Sequence, residues 1–344
     1  MRVVVGFSGG VDSAVTAALL KRRGCEVYGL YLDNADEAAR QGAAEAAEAI
    51  GIPLEIRDVK AELEEKVCSP FTEASLRGET PNPCILCNPA MKFRNLLAAA
   101  DALGADCVAT GHYARAEKGA LYKGQPSNDQ SYMLCRLTRE QVRRLLLPLG
   151  DYEKRQVRAL AEDFGLPVAH KPDSMEICFI PDKDYVGWMG RRTALPGPGE
   201  LVFHGRVIGQ HEGICRYTVG QRRPGLIDGR KVYVSRIDAA ENRVELALWE
   251  ELFKTHVTAR AFNWLIDPPA KPLRAAVRVR HTKWENPLCT VTVEGELVKI
   301  CCDEPVRAPA AGQSAVLYDG DRLLGGGFIT QEESDKESAE PPGQ

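Results

Sequence analysis

Gly6-Phe7-Ser8-Gly9-Gly10-Val11-Asp12-Ser13, close to the amino terminus, constrains the fold more than any other stretch. Val3, Val4 and Val5 precede it, a β-branched run that reads as a buried strand. After it, Val15, Ala18, Leu19 and Leu20 recur at helical spacing as far as Arg23, and Gly24 suits the residue just past a helix end. The turn between strand and helix holds two adjacent glycines and two hydroxyls. Glycine lets a backbone approach an anion without a Cβ in the way, and successive N–H groups feed into the positive end of the helix dipole. The stretch therefore predicts a phosphate-binding strand–turn–helix. It has neither the lysine of GxxxxGK[ST] nor the spacing of GxGxxG. Asp12 inside the turn would repel a phosphate unless Mg²⁺ came with it, an ion that takes carboxylate and phosphate oxygens together.

Downstream the same alternation continues. Glu26 to Leu32 and Leu54 to Val59 read as strands, separated by an alanine-rich helix from Asp36 to Ile50 that is closed by Gly51 and Pro53. Ala61 to Leu76 reads as a helix broken near Ser69-Pro70, and Asp106 to Thr110 as a fourth strand ending in Gly111-His112. Strands alternating with helices imply a parallel, doubly wound sheet with its ligand at the carboxyl ends of the strands. Around Pro196-Gly197-Pro198-Gly199 the pattern changes to short strands and turns. That spacing implies one or two small β-barrels. The expected division is a nucleotide-binding catalytic domain over 1–195, a small central β-rich domain over 196–268 and a C-terminal barrel over 269–330, with Pro268 to Pro272 as the linker. An acidic disordered tail follows over 331–344.

The 344 residues carry a net charge of −4, and the last fourteen hold five acids and one base, so the body is neutral. A neutral body can bind RNA if its cations are grouped. Arg139, Arg143, Arg144, Lys154, Arg155 and Arg158, on two successive helical stretches, and the run Arg274, Arg278, Arg280, His281 and Lys283 are the candidates for such grouping. No apolar run approaches the roughly 20 residues of a membrane span. The start, Met1-Arg2 leading straight into a strand, does not read as a secretory leader. Eleven cysteines, an odd number scattered through helices and strands, suit reduced thiols in a cytoplasmic protein.

Two of those thiols stand apart. Cys84 and Cys87 lie in Asn82-Pro83-Cys84-Ile85-Leu86-Cys87-Asn88-Pro89, a proline-stiffened loop with C-x-x-C spacing. Asn88 reads as a helix N-cap with Pro89 at the first helical position, which puts Cys87 where the dipole lowers a thiol pKa. Cys25, Cys107 and Cys135 read as small buried hydrophobes. Cys178, in the apolar run Ile177 to Ile180, reads as a residue of a strand or its edge.

Ser8 to Ser13 is similar to the pyrophosphatase (PP) loop of enzymes that form an adenylate from ATP. With Asn82-Pro83-Cys84-x-x-Cys87-Asn88, Thr110-Gly111-His112-Tyr113, Asp129-Gln130-Ser131-Tyr132 and Asp173-Ser174-x-x-Ile177-Cys178-Phe179-Ile180 in the same order, the chain resembles the tRNA-specific 2-thiouridylase family from about residue 1 to 330. Tyr217-Thr218-Val219-Gly220-Gln221-Arg222 and Tyr318-Asp319-Gly320-Asp321 extend the match. The resemblance implies an α/β fold: an N-terminal parallel sheet of the adenine nucleotide alpha hydrolase-like, PP-loop type, then two small mainly-β domains ending in a β-barrel. It implies an ATP- and Mg²⁺-dependent transferase that adenylates the C2 oxygen of the wobble uridine in tRNAs for Lys, Glu and Gln and replaces that oxygen with sulfur. Its sulfur donor is a cysteine desulfurase or sulfur-relay protein.

By the same resemblance, Gly6, Phe7, Ser8, Gly9, Gly10, Val11, Asp12, Ser13, Leu32 and Gly111 surround ATP, and Asn82, Pro83 and Cys84 meet the target base. Cys178 carries the persulfide and Cys87 is its catalytic partner, the two closing a transient disulfide. His112, Asn128, Asp129, Gln130, Arg278, Val279 and Gln313 face tRNA. Leu32 stands where the family commonly has methionine, Asn128 where it has lysine, and the segment after Asp33 is short. Cys84, Cys87 and Cys178 are also the ligand set of an iron–sulfur alternative, less favoured here than the persulfide. Two rival classes remain: an adenylating synthetase for a small molecule, which needs an ammonia-supplying domain that no region resembles, and a non-catalytic RNA-binding or redox protein, which needs no intact loop.

Overall fold

The computed structural model describes residues 1–172, 177–180, 182–281 and 286–331. Five parallel strands form the first sheet: β1 (Arg2–Gly6), β2 (Glu26–Asp33), β3 (Leu54–Asp58), β4 (Cys107–Ala109) and β7 (Leu145–Leu146), ordered β3-β2-β1-β4-β7. Helices α1 (Val11–Arg22) and α2 (Glu37–Ile50) cover one face, burying Val3, Val5 and Phe7 with Ala14, Val15 and Ala47. The helix Phe93–Ala102 covers the other, with Phe93 and Leu96 against Val4, Leu30 and Val108. Small alanines on α1 and α2 let both helices approach the sheet closely. Asp36 caps α2 by accepting from the Ala39 N–H, and Gly51 ends it at φ +69°.

Residues 60–76 follow one helical path rather than a broken one, loosened into a π-turn over Glu64–Cys68 just ahead of Pro70. Pro83–Cys87 runs through a second π-turn, Asn88–Lys92, into the Phe93–Ala102 helix. Pro89 lacks the N–H that an α-helix would use there, and its ring crowds the preceding turn, so the helix widens at that point.

Strands β8 (Gly199–Phe203), β9 (Arg206–His211), β10 (Tyr233–Asp238) and β11 (Arg243–Ala247) make a second sheet ordered β10-β11-β8-β9. Tyr217–Val219 joins no strand; it follows a single 3₁₀ turn, Ile214–Arg216. The third unit is an antiparallel barrel of β12 (Phe253–Trp264), β15 (Leu297–Arg307), β14 (Leu288–Glu294), β13 (Leu273–Arg278), β16 (Ser314–Asp319) and β17 (Arg322–Ile329), closed by pairing of β12 with β17. Strand β12 precedes Pro268–Pro272, so that segment connects two barrel strands instead of linking domains, and the barrel begins at Phe253. Pairing of β12 with both β15 and β17 is what fixes the division there.

A hairpin of the N-terminal unit, β5 (Ala114–Glu117) and β6 (Ala120–Lys123), extends the barrel sheet beside β17. The Lys123 N–H donates to Asp321 O at 2.8 Å, and Leu121, Tyr132 and Leu134 share a core with Val316, Tyr318 and Leu323. The segments around residues 114–134 and 316–323 are thereby packed into one core. No helix among the described residues is long and apolar enough to cross a membrane. The expected tail lies outside the described residues from 332 on.

Candidate active site

Strands β2 and β4 flank β1, so the chain leaves the sheet in opposite directions at the end of β1, the place where open α/β sheets bind ligands. Gly9 and Gly10 lie there. Gly9 takes φ +67°, and a Cβ on it would stand 2.5 Å from Ala43 Cα, so only glycine fits. Gly10 is the N-cap of α1, and no side chain caps the first-turn N–H groups. Ser13 Oγ donates to Gly10 O at 3.0 Å and lies 3.2 Å from Ser8 Oγ, fixing the loop from within. Across the cleft a Cβ on Gly111 would meet Asp12 at 2.8 Å, so the β4 loop rests directly on the glycine turn. The cradle is shaped for an anion.

Asp12 does not stand alone in it. Lys154 Nζ donates to both carboxylate oxygens at 2.8 Å and Tyr113 Oη donates to Oδ1 at 2.6 Å. Lys171 Nζ donates to Gly9 O at 3.2 Å. The repulsion that called for a cation beside Asp12 is thus relieved by an ammonium from the Lys154–Asp163 helix, which sequence patterning placed among RNA-facing cations. One carboxylate next to a phosphate cradle is still a donor set that Mg²⁺ accepts, so the residues fit both ATP and that ion.

Asn82, not Asn88, caps the cysteine helix: its Oδ1 accepts from Cys84 N at 3.1 Å, and Pro83 takes the first helical position. Asn88 is buried and donates to Met133 O at 2.8 Å. Cys87 therefore sits inside a continuous helical path, away from its positive end. Burial pushes its thiol up to about 11, against the pull of Lys92; the lowered pKa expected from the sequence is overturned. Cys84, near the helix start, is exposed.

Cys178 lies in a turn rather than a strand, its carbonyl accepting from Asn34 Nδ2 at 3.2 Å just past the end of β2. It is exposed at its surface yet hemmed in below, and burial again raises the thiol while Lys92 opposes. Ionised Cys178 and Cys84 both oppose ionisation of Cys87, Cys84 also opposes that of Cys178, and Ile177 and Phe179 pack into the cluster that holds Cys87. Leu32, half-buried, bridges the clusters on either side of this region. Asp173 and Ser174 lie outside the described residues. All eleven cysteines are free thiols, and among the described residues no three His, Cys, Asp or Glu side chains are grouped to hold a metal ion. Cys84, Cys87 and Cys178 thus do not fit an iron–sulfur cluster as arranged.

The residues expected to face tRNA divide. Asn128, Gln130 and His112 lie near the cleft, half-buried; Gln130 Oε1 accepts from Tyr113 N at 3.1 Å, and His112 stacks on Phe93 with its ring kept neutral by burial. Gln313 Nε2 donates to Thr80 O at 2.7 Å, tying barrel to cysteine loop. Asp129 and Arg278 are spent on each other in a buried ion pair at 2.8 Å, and Val279 points into the barrel core. The basic run nearby is similarly engaged: Arg274 pairs with Asp303, Arg280 donates to Val219 O and Ala308 O, and His281 Nε2 lies 3.0 Å from Asp129 O. Lys283 lies outside the described residues. Arg139 and Arg144 are likewise engaged, with Asp267 and Asp101. Lys92, Tyr113 and Lys171 were given no site role from sequence, and Lys154 was grouped with RNA-facing cations rather than with Asp12.

Family models cover nearly all the chain. Residues 1–182 match a tRNA methyl transferase HUP domain, 194–247 a tRNA methyl transferase PRC-barrel domain and 254–329 an aminomethyltransferase β-barrel domain. A tRNA-specific 2-thiouridylase MnmA of Syntrophotalea carbinolica is 42% identical over 95% of this chain and 98% of its own. That of Geobacter metallireducens is 43% identical over 95% and 96%. A solved 4-thiouridine synthetase–RNA complex with bound ATP is only distantly similar, at 17% identity and TM-score 0.38 over 56% of this chain and 50% of that one. On the strength of the full-length matches, the chain belongs to the tRNA-specific 2-thiouridylase family.

Proposed function

We propose that the protein is a tRNA-uridine 2-sulfurtransferase, and that ATP held by Gly6–Ser13 activates the C2 oxygen of a wobble uridine before sulfur replaces it. A uridine carbonyl does not lose oxide unaided; transfer of AMP to that oxygen makes it a leaving group, with pyrophosphate released at the glycine turn. The uncapped N–H groups of α1 and the ammonium groups of Lys154 and Lys171 face where the departing negative charge gathers. Mg²⁺, when bound, would neutralise phosphate charge, and Asp12 is the residue that would hold it.

Sulfur arrives on Cys178 as a persulfide from a donor protein, and the donor is read as a cysteine desulfurase or its relay. Cys87 thiolate attacks the inner sulfur of that persulfide, forming the Cys87–Cys178 disulfide and releasing hydrosulfide. Hydrosulfide adds at C2 and AMP leaves with the original oxygen. A cellular thiol reductant then restores both thiols. Cys87 must first give up its proton, and Lys92 is the cation that favours its thiolate. What supports this reading is that Ile177 and Phe179, on either side of Cys178, pack into the cluster that holds Cys87, while the Cys178 carbonyl is held by Asn34 just past the end of β2, the strand next to the glycine turn.

The test is C87S and C178S measured in two assays. Each variant is expected to abolish 2-thiouridine formation in a tRNA transcript while retaining tRNA-dependent pyrophosphate release. Normal thiolation by either variant removes that cysteine from the mechanism.

A further inference from the structure

β2 leaves the sheet through a turn in which every polar side chain but one is spent within the turn or on α2. Asp33 is buried: its Oδ1 accepts from the Ala35 N–H at 2.9 Å and its Oδ2 from Arg40 of α2 at 3.1 Å. Its carbonyl accepts from the Val59 N–H at 3.1 Å. Ala35 takes φ +80°, a conformation that alanine rarely adopts and that persists only where the surroundings impose it. Asp36 then caps α2 through the Ala39 N–H. The side chain left over is Asn34. Its amide nitrogen donates to Cys178 O at 3.2 Å and has no other partner among the described residues. A carbonyl only accepts, so the donor end of the amide is the end that faces Cys178.

The same turn is tied to the glycine cradle. α2 lays Ala43 against Gly9, and Arg40, which grips Asp33, lies one turn earlier on that helix. Lys171, seven residues ahead of Cys178, donates to Gly9 O at 3.2 Å. Lys171 is thus held on the cradle directly, and Cys178 through Asn34 and α2. We infer that Asn34 is a positioning residue for sulfur transfer: it fixes the Cys178 peptide so that sulfur carried on that thiol is released beside the activated uridine, and it takes no part in binding ATP or forming the adenylate. The thiol and the held carbonyl belong to one residue, so anchoring the carbonyl narrows the arc through which Sγ swings, and rate depends steeply on such placement. The inference rests on the reading of Cys178 as the sulfur carrier.

The experiment uses the full-length protein, preloaded with persulfide by a cysteine desulfurase and cysteine, with ATP and a wobble-uridine tRNA transcript under single-turnover conditions. Pyrophosphate release and 2-thiouridine formation are timed for wild type, N34A and N34L, each rate taken per persulfide-loaded enzyme. N34L keeps the size of the side chain and loses only the donor; N34A decides the matter if N34L fails to fold. In both variants thiolation is expected to slow about 3- to 10-fold, the worth of one neutral hydrogen bond. The rate of pyrophosphate release and the ATP concentration giving half of it stay at their wild-type values. A merely structural role would slow both reactions together, so parallel losses overturn the inference. Thiolation at the wild-type rate by both variants overturns it as well and leaves the functional reading standing. Wild type that forms no 2-thiouridine removes the functional reading, and this inference with it.

Discussion

Lys154 illustrates how a residue acquires its role from what folding sets opposite it. In the sequence it is one of several cations on a helix; in the fold its ammonium bridges both oxygens of Asp12 at 2.8 Å. A charge-assisted contact of this kind contributes roughly 1.5–3 kcal/mol. K154M is therefore expected to weaken ATP binding about 10- to 100-fold by calorimetry, and an unchanged affinity would place Lys154 outside the nucleotide site. Cys87 shows the reverse case. The C-x-x-C spacing made it a candidate reactive thiol, but its ionisation was not legible, because the position of the helix start depended on which asparagine capped it. With a thiol near 11, its alkylation by iodoacetamide should climb about tenfold per pH unit from pH 8 to 10, since only the thiolate reacts. A plateau by pH 8 would show that burial is not controlling it.

At the scale of elements, strong periodicity was readable and pairing was not. The valine strand, α1 and the alanine-rich α2 stand where their residues predicted, because apolar spacing, Asp36 and Gly51 all agree. Strand β15, with Lys299, Cys301 and Asp303 on its outer face, was not foreseen, and neither was the β5–β6 hairpin; the first became a strand by pairing with β12 and β14, the second by joining a sheet from the other end of the chain. The Asp129–Arg278 pair belongs to that joint. Its side chains are only 6% and 12% exposed, so removing one partner strands a charge. R278M is expected to lower stability by about 3–5 kcal/mol in denaturant unfolding, and D129N combined with R278M by less than R278M alone. If R278M instead left stability intact and cut tRNA affinity, direct phosphate contact would be the better account of Arg278.

For the whole molecule, the buried cysteines set a limit on alkaline tolerance. Burial pushes Cys68, Cys135 and Cys289 up to about 12 and Cys302 up to about 11. In the unfolded chain these thiols ionise near pH 8.5, whereas the native state keeps them protonated. Between those values the unfolded state binds fewer protons, so stability falls as pH rises, by at most about 1.4 kcal/mol per pH unit for each thiol. Below pH 8 their contribution is complete. The melting temperature should hold from pH 7 to 8 and decline steadily above 9, and replacing Cys135 and Cys289 together with alanine should flatten the decline.

The hairpin at 114–123 lends two strands to a sheet whose remaining members come from beyond residue 252. A fragment stopped at 195 would carry a splice with nothing to join, leaving Leu121, Tyr132 and Leu134 wetted where Val316, Tyr318 and Leu323 should shield them. Exchanging barrels between relatives without exchanging this hairpin would mismatch the same seam, so modules that look separable along the gene are obliged to travel together.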